Sequence, residues 1–223
     1  DASADFLVNT AKEYGVNVDY IRKVSGSSGM GVINAVEDGS VYACIVRGAN
    51  FEVTREDVDN AMPILKESGV CILQNEIPVE IIVYAIDKAK EAGCTVVLNA
   101  APAIELPEEC LSKVDILVVN EVEAEFYCHE KIDSVEKAKT EIKKMAEKYN
   151  NNVIFTLGKD GAVAYENGTI EFIPAMKVDA IETTGAGDSY IGAVSHSIIE
   201  GKSLIEACKF ATKCSACLLY TSP

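Results

Sequence analysis

The rhythm of apolar positions changes several times along the chain. Residues 3 to 14 carry Phe6, Leu7 and Ala11 on one face at helical spacing, which predicts an amphipathic helix. From Asp19 to Arg47 the runs shorten and alternate, with Gly29, Gly31 and Gly39 between them. Val32–Val36 and Val41–Val46 predict a hairpin around Asp38-Gly39, a flap or lid inserted in an otherwise different pattern. From Thr54 onward helix and strand alternate. Helices are expected at 54–67, 78–92, 121–129 and 134–149, and strands at 69–73, 95–99, 114–119 and 152–157. A meander over 162–173 turns at Asn167-Gly168, and helices at 187–200 and 203–216 follow.

The four strands are almost continuously apolar; Val114 to Val119 has Asp115 as its one exception. Strands of that kind are buried on both faces, which predicts an α/β fold with a mostly parallel sheet. Ligands bind such sheets beyond the carboxyl ends of the strands. Glu76, Asn99, Asn120 and Gly158 each fall at or just after a strand's carboxyl end, so one shared crevice is expected.

Composition narrows the functional classes. A chain of 223 residues, 48% apolar, can bury one full core. A net charge of −15 without a basic run argues against nucleic acid and anionic membranes as partners. No run approaches the ~18 apolar residues of a membrane helix, and the first residues show no basic segment before an apolar core, so no signal peptide is expected in them. Eight cysteines are scattered, several within apolar runs, as expected of reduced thiols in a cytoplasmic protein. Cys214-x-x-Cys217 has metal or redox spacing but lacks a second Cys or His pair, and His129 and His196 stand alone. No Gly-x-x-x-x-Gly-Lys-Ser/Thr loop occurs, and Gly26-x-x-Gly29-x-Gly31 lacks the strand–turn–helix setting of a dinucleotide fingerprint.

The most informative segment is Thr183-Thr184-Gly185-Ala186-Gly187-Asp188-Ser189, placed just before an apolar helical pattern. Two glycines let the backbone bend tightly and approach a ligand. The helix start adds unpaired N–H donors and a positive dipole end, a site suited to phosphate. Asp188 within it can take a proton from a hydroxyl, so the pattern reads as phosphoryl transfer to an alcohol. Asn120 and Glu123 have i, i+3 spacing at a strand-to-helix junction. They can face one site, or form a capping box, or do both. Glu121 and Glu125 are expected as solvated surface.

The Thr183–Asp188 motif resembles the signature of the ribokinase-type (PfkB) carbohydrate kinases. Four further segments agree in order: Gln74-Asn75-Glu76, Leu98-Asn99-Ala100-Ala101-Pro102, Asn120-Glu121-Val122-Glu123 and Thr156-Leu157-Gly158-Lys159-Asp160-Gly161. The resemblance implies a three-layer α/β/α sandwich with a mostly parallel sheet and a small antiparallel β lid. It implies ATP-dependent phosphorylation of a sugar primary hydroxyl, ribose first, with fructose, 2-keto-3-deoxygluconate or a nucleoside as alternatives, or an inert nucleotide-binding fragment. In this reading Asp188 is the base and contacts the acceptor, and Gly185, Ala186 and Gly187 form the anion hole. Asn120, Thr156, Gly158, Gly161 and Thr212 bind nucleotide, and Glu76 touches the sugar. Glu123 positions Mg²⁺ through water. Glu182 and Thr184 correspond to a monovalent-cation (K⁺) site, where many members carry Asp at the first position.

The same resemblance marks departures. The chain opens on a helix without the strands that carry the family's Gly-Gly-Lys-Gly-Ala-Asn-type sugar motif, and residues 217–223 do not follow the family pattern. The expectation is a partial kinase domain over 1–216, with its lid at about 17–50, and a foreign tail. The lid's open edge suits pairing with a second copy as a homodimer.

Overall fold

The computed structural model describes residues 2–35, 41–178 and 185–221. Helix α1 (Ala2–Glu13) buries no side chain and leads to an antiparallel hairpin of β1 (Met30–Ala35) and β2 (Val41–Val46). The expected lid is therefore present, with its Asp38-Gly39 turn lying outside the described residues. The predicted helix 54–67 is two short ones, α2 (Arg55–Asn60) and α3 (Met62–Leu65). Pro63 lacks the N–H that a continuous helix would need there.

The remaining elements are β3 (Val70–Gln74), α4 (Val79–Ala92), β4 (Thr95–Asn99), α5 (Glu108–Leu111), β5 (Ile116–Asn120), α6 (Glu121–Cys128), α7 (Val135–Tyr149), β6 (Asn152–Thr156), β7 (Gly161–Glu166), β8 (Thr169–Pro174), α8 (Ala186–Ile199) and α9 (Leu204–Thr221). Among the described residues β3 to β8 form one sheet in sequence order. β3 to β6 are parallel, and β7 and β8 are antiparallel additions. β5 starts later than its apolar run suggests, because Asp115 serves as a staple. Its carboxylate accepts from the Val96 N–H at 2.7 Å and pairs with Lys90 at 2.6 Å.

The period of two along each strand splits the core into two layers. Val96, Leu98, Leu117, Val119, Val153 and Phe155 point toward α4 and α7, where Ile82, Ile86, Ile142 and Met145 meet them. The alternate residues Val97, Ile116, Val118 and Ile154 pack against Tyr190, Ile191 and Val194 of α8 and Leu204, Ala207 and Cys208 of α9. Burial on both faces is what made these strands read as unbroken apolar runs. β3 is an edge strand, and Ile72 on it is 46% exposed. α9 continues as helix through Thr221, so residues 217–221 extend it.

Two local features hold separate parts of this frame. Gly161 opens β7 at φ +120°, and a Cβ there would lie 2.1 Å from the Ile173 carbonyl oxygen, inside contact distance. Near the lid, the Arg22 guanidinium bonds both carboxylate oxygens of Asp57 and the Glu52 carbonyl. Asp57 also completes the N-terminal capping box of α2 with Thr54. Arg22, aided by the Thr54 donors, pulls the Asp57 carboxyl down to about 2.

Gly161→Ala is expected to destabilise the chain by at least about 2 kcal/mol, through overpacking and a disfavoured φ together, measured as the urea midpoint. For Asp57 the folded pKa lies below the unfolded value. Its stabilisation is therefore complete above about pH 5 and drains away as pH falls through about 4 toward 2. The Arg22 and Asp57 side chains are 46% and 21% exposed, so solvent screening weakens the pair, and Arg22→Met should lower the urea midpoint only modestly near pH 7. That loss should shrink in urea titrations repeated near pH 3.

Candidate active site

Strand register gathers the predicted polar positions at one edge. Gln74 pairs with Asn99, Asn99 with Val118, and Asn120 with Thr156, so the carboxyl ends of β3 to β6 lie side by side. α8 packs on the second face of that sheet, and its first turn reaches the same edge.

Gly185 is the N-cap of α8 at φ +79°, a left-handed conformation that favours glycine. Ala186, Gly187 and Asp188 form the first turn, where N–H groups have no carbonyl one turn back to bond. A methyl group on Gly187 would meet no atom within 4 Å. The turn is held from two sides. Ser215 Oγ of α9 donates to the Ala186 carbonyl at 2.8 Å. Gln74 Nε2 of β3 donates to Asp188 Oδ1 at 3.5 Å. The Leu218 side chain also stands near Gly185, 3.7 Å from where a Cβ would be. Asp188 itself is exposed.

At the β5–α6 junction the capping box is realised. Asn120 Oδ1 accepts from the Val122 and Glu123 N–H groups at 2.8 and 3.0 Å, and Glu123 Oε2 accepts from the Asn120 N–H at 2.8 Å. Glu123 is buried, and burial pushes its carboxyl above the ordinary value, partly opposed by the Asn120 donor. Thr156 ends β6, with Oγ1 at 3.5 Å from the Val119 carbonyl. Gly158 and Gly161 shape the turn between β6 and β7, closed by the Leu157 N–H to the Gly161 carbonyl at 2.8 Å. Thr212 lies on α9, its hydroxyl donating to the Cys208 carbonyl at 2.9 Å.

Glu76 follows Gln74 by two residues, in the loop after β3. It lines a cavity of about 820 Å³ between α1 and the lid hairpin, walled by Leu7, Tyr20, Arg22, Met30 and Val46. Neither Asp188 nor the turn after β6 is part of that wall. Glu182 and Thr184 lie outside the described residues.

Of the two glutamates expected as solvated surface, Glu125 has a partner instead: its Oε1 accepts from the Ile132 N–H at 3.0 Å. That partner lies seven residues on, beyond the end of α6, so it leaves no signal in the helical pattern. His129 is the left-handed C-cap of α6 at φ 55°. Gln74 and Ser215 flank the α8 turn, and only the fold brings them there. Asn75 is buried beside Gln74, with its Nδ2 donating to the Pro102 carbonyl at 3.0 Å.

The model of the pfkB family of carbohydrate kinases matches residues 1–222. The chain is 35% identical over 218 residues to a ribokinase of Staphylococcus aureus, covering 97% of this chain and 72% of the relative. It is 33% identical over 213 residues to a deoxyribokinase of Salmonella typhimurium, covering 95% and 70%. Arabidopsis thaliana ribokinase, solved in complex with ribose and ATP, aligns with TM-score 0.82 at 27% identity over 94% of this chain and 69% of that one. With the family pattern running along nearly the whole sequence and its motifs meeting at one sheet edge, this chain belongs to the pfkB family of carbohydrate kinases.

Proposed function

We propose that this chain transfers the γ-phosphoryl group of ATP to the primary hydroxyl of a pentose, ribose foremost, with Asp188 as general base. The observation that carries the reading is the position of Asp188 in the first turn of α8, at the sheet edge where the carboxyl ends of β3 to β6 meet. The acceptor oxygen attacks the γ-phosphorus while its proton passes to the Asp188 carboxylate. A new O–P bond forms, the bond to the bridging oxygen of the β-phosphate breaks, and ADP leaves with that electron pair. The N–H groups of Gly185, Ala186 and Gly187 face the charge that develops on the transferred group. The open space above Gly187 supports close approach of a ligand, since packing alone does not demand glycine there.

Glu76 in the cavity under the lid is the sugar-side contact in this reading, and Asn120, Thr156, Gly158, Gly161 and Thr212 serve the nucleotide. The Thr212 hydroxyl is already spent within its own helix, so its contribution is shape and the remaining acceptor capacity. Among the described residues no three His, Cys, Asp or Glu side chains gather to hold a metal directly. The Asn120–Glu123 pair, with its oxygens engaged in capping, fits an outer-shell role toward Mg²⁺ that keeps most of its waters. Bound there, Mg²⁺ would neutralise phosphate charge.

The Salmonella relative is a deoxyribokinase, which makes 2-deoxyribose the competing acceptor. Turnover of ribose, 2-deoxyribose, fructose and adenosine with Mg·ATP should be greatest for one of the two pentoses. Asp188→Asn should lower kcat at least about a hundredfold on that acceptor while ATP binding persists. Phosphorylation at native rate by the Asn variant would overturn the assignment of the base. Glu123→Gln keeps an oxygen for the Asn120 N–H, so stability should hold within about 1 kcal/mol while the Mg²⁺ needed for half-maximal rate rises about tenfold. An unmoved Mg²⁺ requirement would leave Glu123 a helix cap alone.

A further inference from the structure

The base assigned above is exposed on a helix's first turn, the part of a helix most prone to fray. Something must hold its carboxylate in one orientation if it is to meet the acceptor hydroxyl. Among the described residues the one side chain that hydrogen-bonds Asp188 is Gln74, from Nε2 to Oδ1 at 3.5 Å, across 114 positions of sequence.

The period of β3 puts Gln74 there. Cys71 and Leu73 pack toward the α4 side of the sheet, and Val70 packs toward α8 and α9. Gln74, an even number of residues after Val70, is on that second face at the strand's last position. Its long amide side chain then spans from the strand end to the turn of α8. Ser215 fixes the same turn from the opposite side through the Ala186 carbonyl. Between them the first turn is pinned to β3 and to α9, the two elements that flank it.

The chemistry of an amide suits the position. A neutral N–H donor on Oδ1 orients the carboxylate and leaves Oδ2 to receive the proton. It adds no positive charge that would weaken the base, as a lysine would. After Oδ2 is protonated, Oδ1 still accepts the same hydrogen bond, so the contact survives the step. We propose that Gln74 is a positioning residue for Asp188, fixing its carboxylate toward the acceptor hydroxyl. This rests on Asp188 being the base.

The other titratable groups near the turn have their own places. On β3 there is Cys71, on the face away from α8. In the loop after β3, Glu76 faces the lid cavity. On α9, Glu206 is bound to Ser203, Lys209 is paired with Glu171, and Cys208 is buried in the core. On α8 itself His196 lies against Phe210.

The test compares the native chain with Gln74→Leu, Gln74→Glu and Asp188→Asn. The Asp188 carboxyl carbon signal is read by NMR at one fixed pH and identified by its loss in Asp188→Asn. Gln74→Leu and Gln74→Glu should each shift that signal, since both remove the amide donor from Oδ1. In turnover, Gln74→Leu should lower kcat about tenfold with the KM for ATP unchanged. An Asp188 carboxyl signal and a kcat unmoved in both Gln74 variants, while Asp188→Asn is inactive, would overturn the role of Gln74 and leave the base in place. Native turnover in Asp188→Asn would instead remove the base itself. The carboxyl signal reads the contact whether or not the chosen acceptor is turned over.

Discussion

Every part of the candidate site depends on the register of four parallel strands. Gln74 pairs with Asn99, Asn99 with Val118 and Asn120 with Thr156, so the carboxyl ends of β3 to β6 fall within two residues of one level. That level is where backbone groups leave the ladder and side chains leave the core. A slip of one residue in any strand would turn its core residues toward the wrong layer and remove its end from the edge. The two-layer packing of Val96 and Leu98 on one face, with Val97 on the other, makes such a slip expensive. The core thus protects the site without touching it.

The site also shows how closely capping and function are joined. Asn120 and Glu123 satisfy the donors of the α6 N-terminus at the carboxyl end of β5. Capping keeps their geometry fixed before a ligand arrives, which is the condition for electrostatic preorganisation. α8 follows a different design. Its N-cap is Gly185, which has no side chain to offer, so its first donors remain for a ligand and the turn is steadied from outside by Ser215 and Gln74. One helix start closes its own donors, and the other leaves them open.

Much of the fold was legible in the sequence because hydrophobic period is a local quantity. The alternation after Thr54, the lid hairpin and the Asn167-Gly168 turn each follow from residues within a few positions of one another. Misreadings arose where a single residue overrode the pattern. Pro63 divided a helix that the apolar spacing had made continuous. Asp115, in an apolar run, became the staple before β5 rather than part of it. Glu125 looks like a surface residue in a helical projection, yet it holds the Ile132 N–H.

The sequence by itself determined the element order, the two-sided burial of the strands and the chemical character of the Gly185–Asp188 turn. These depend on side-chain type and spacing along a few residues, which no folding is needed to read. Only the tertiary structure decided which side chains stand beside that turn. Gln74 and Ser215 reach it from 114 positions before Asp188 and 29 positions after Ala186. It also set Glu76 in the wall of the cavity beneath the lid. Such neighbours are set by sheet register and helix packing, and both are consequences of burying the whole core at once.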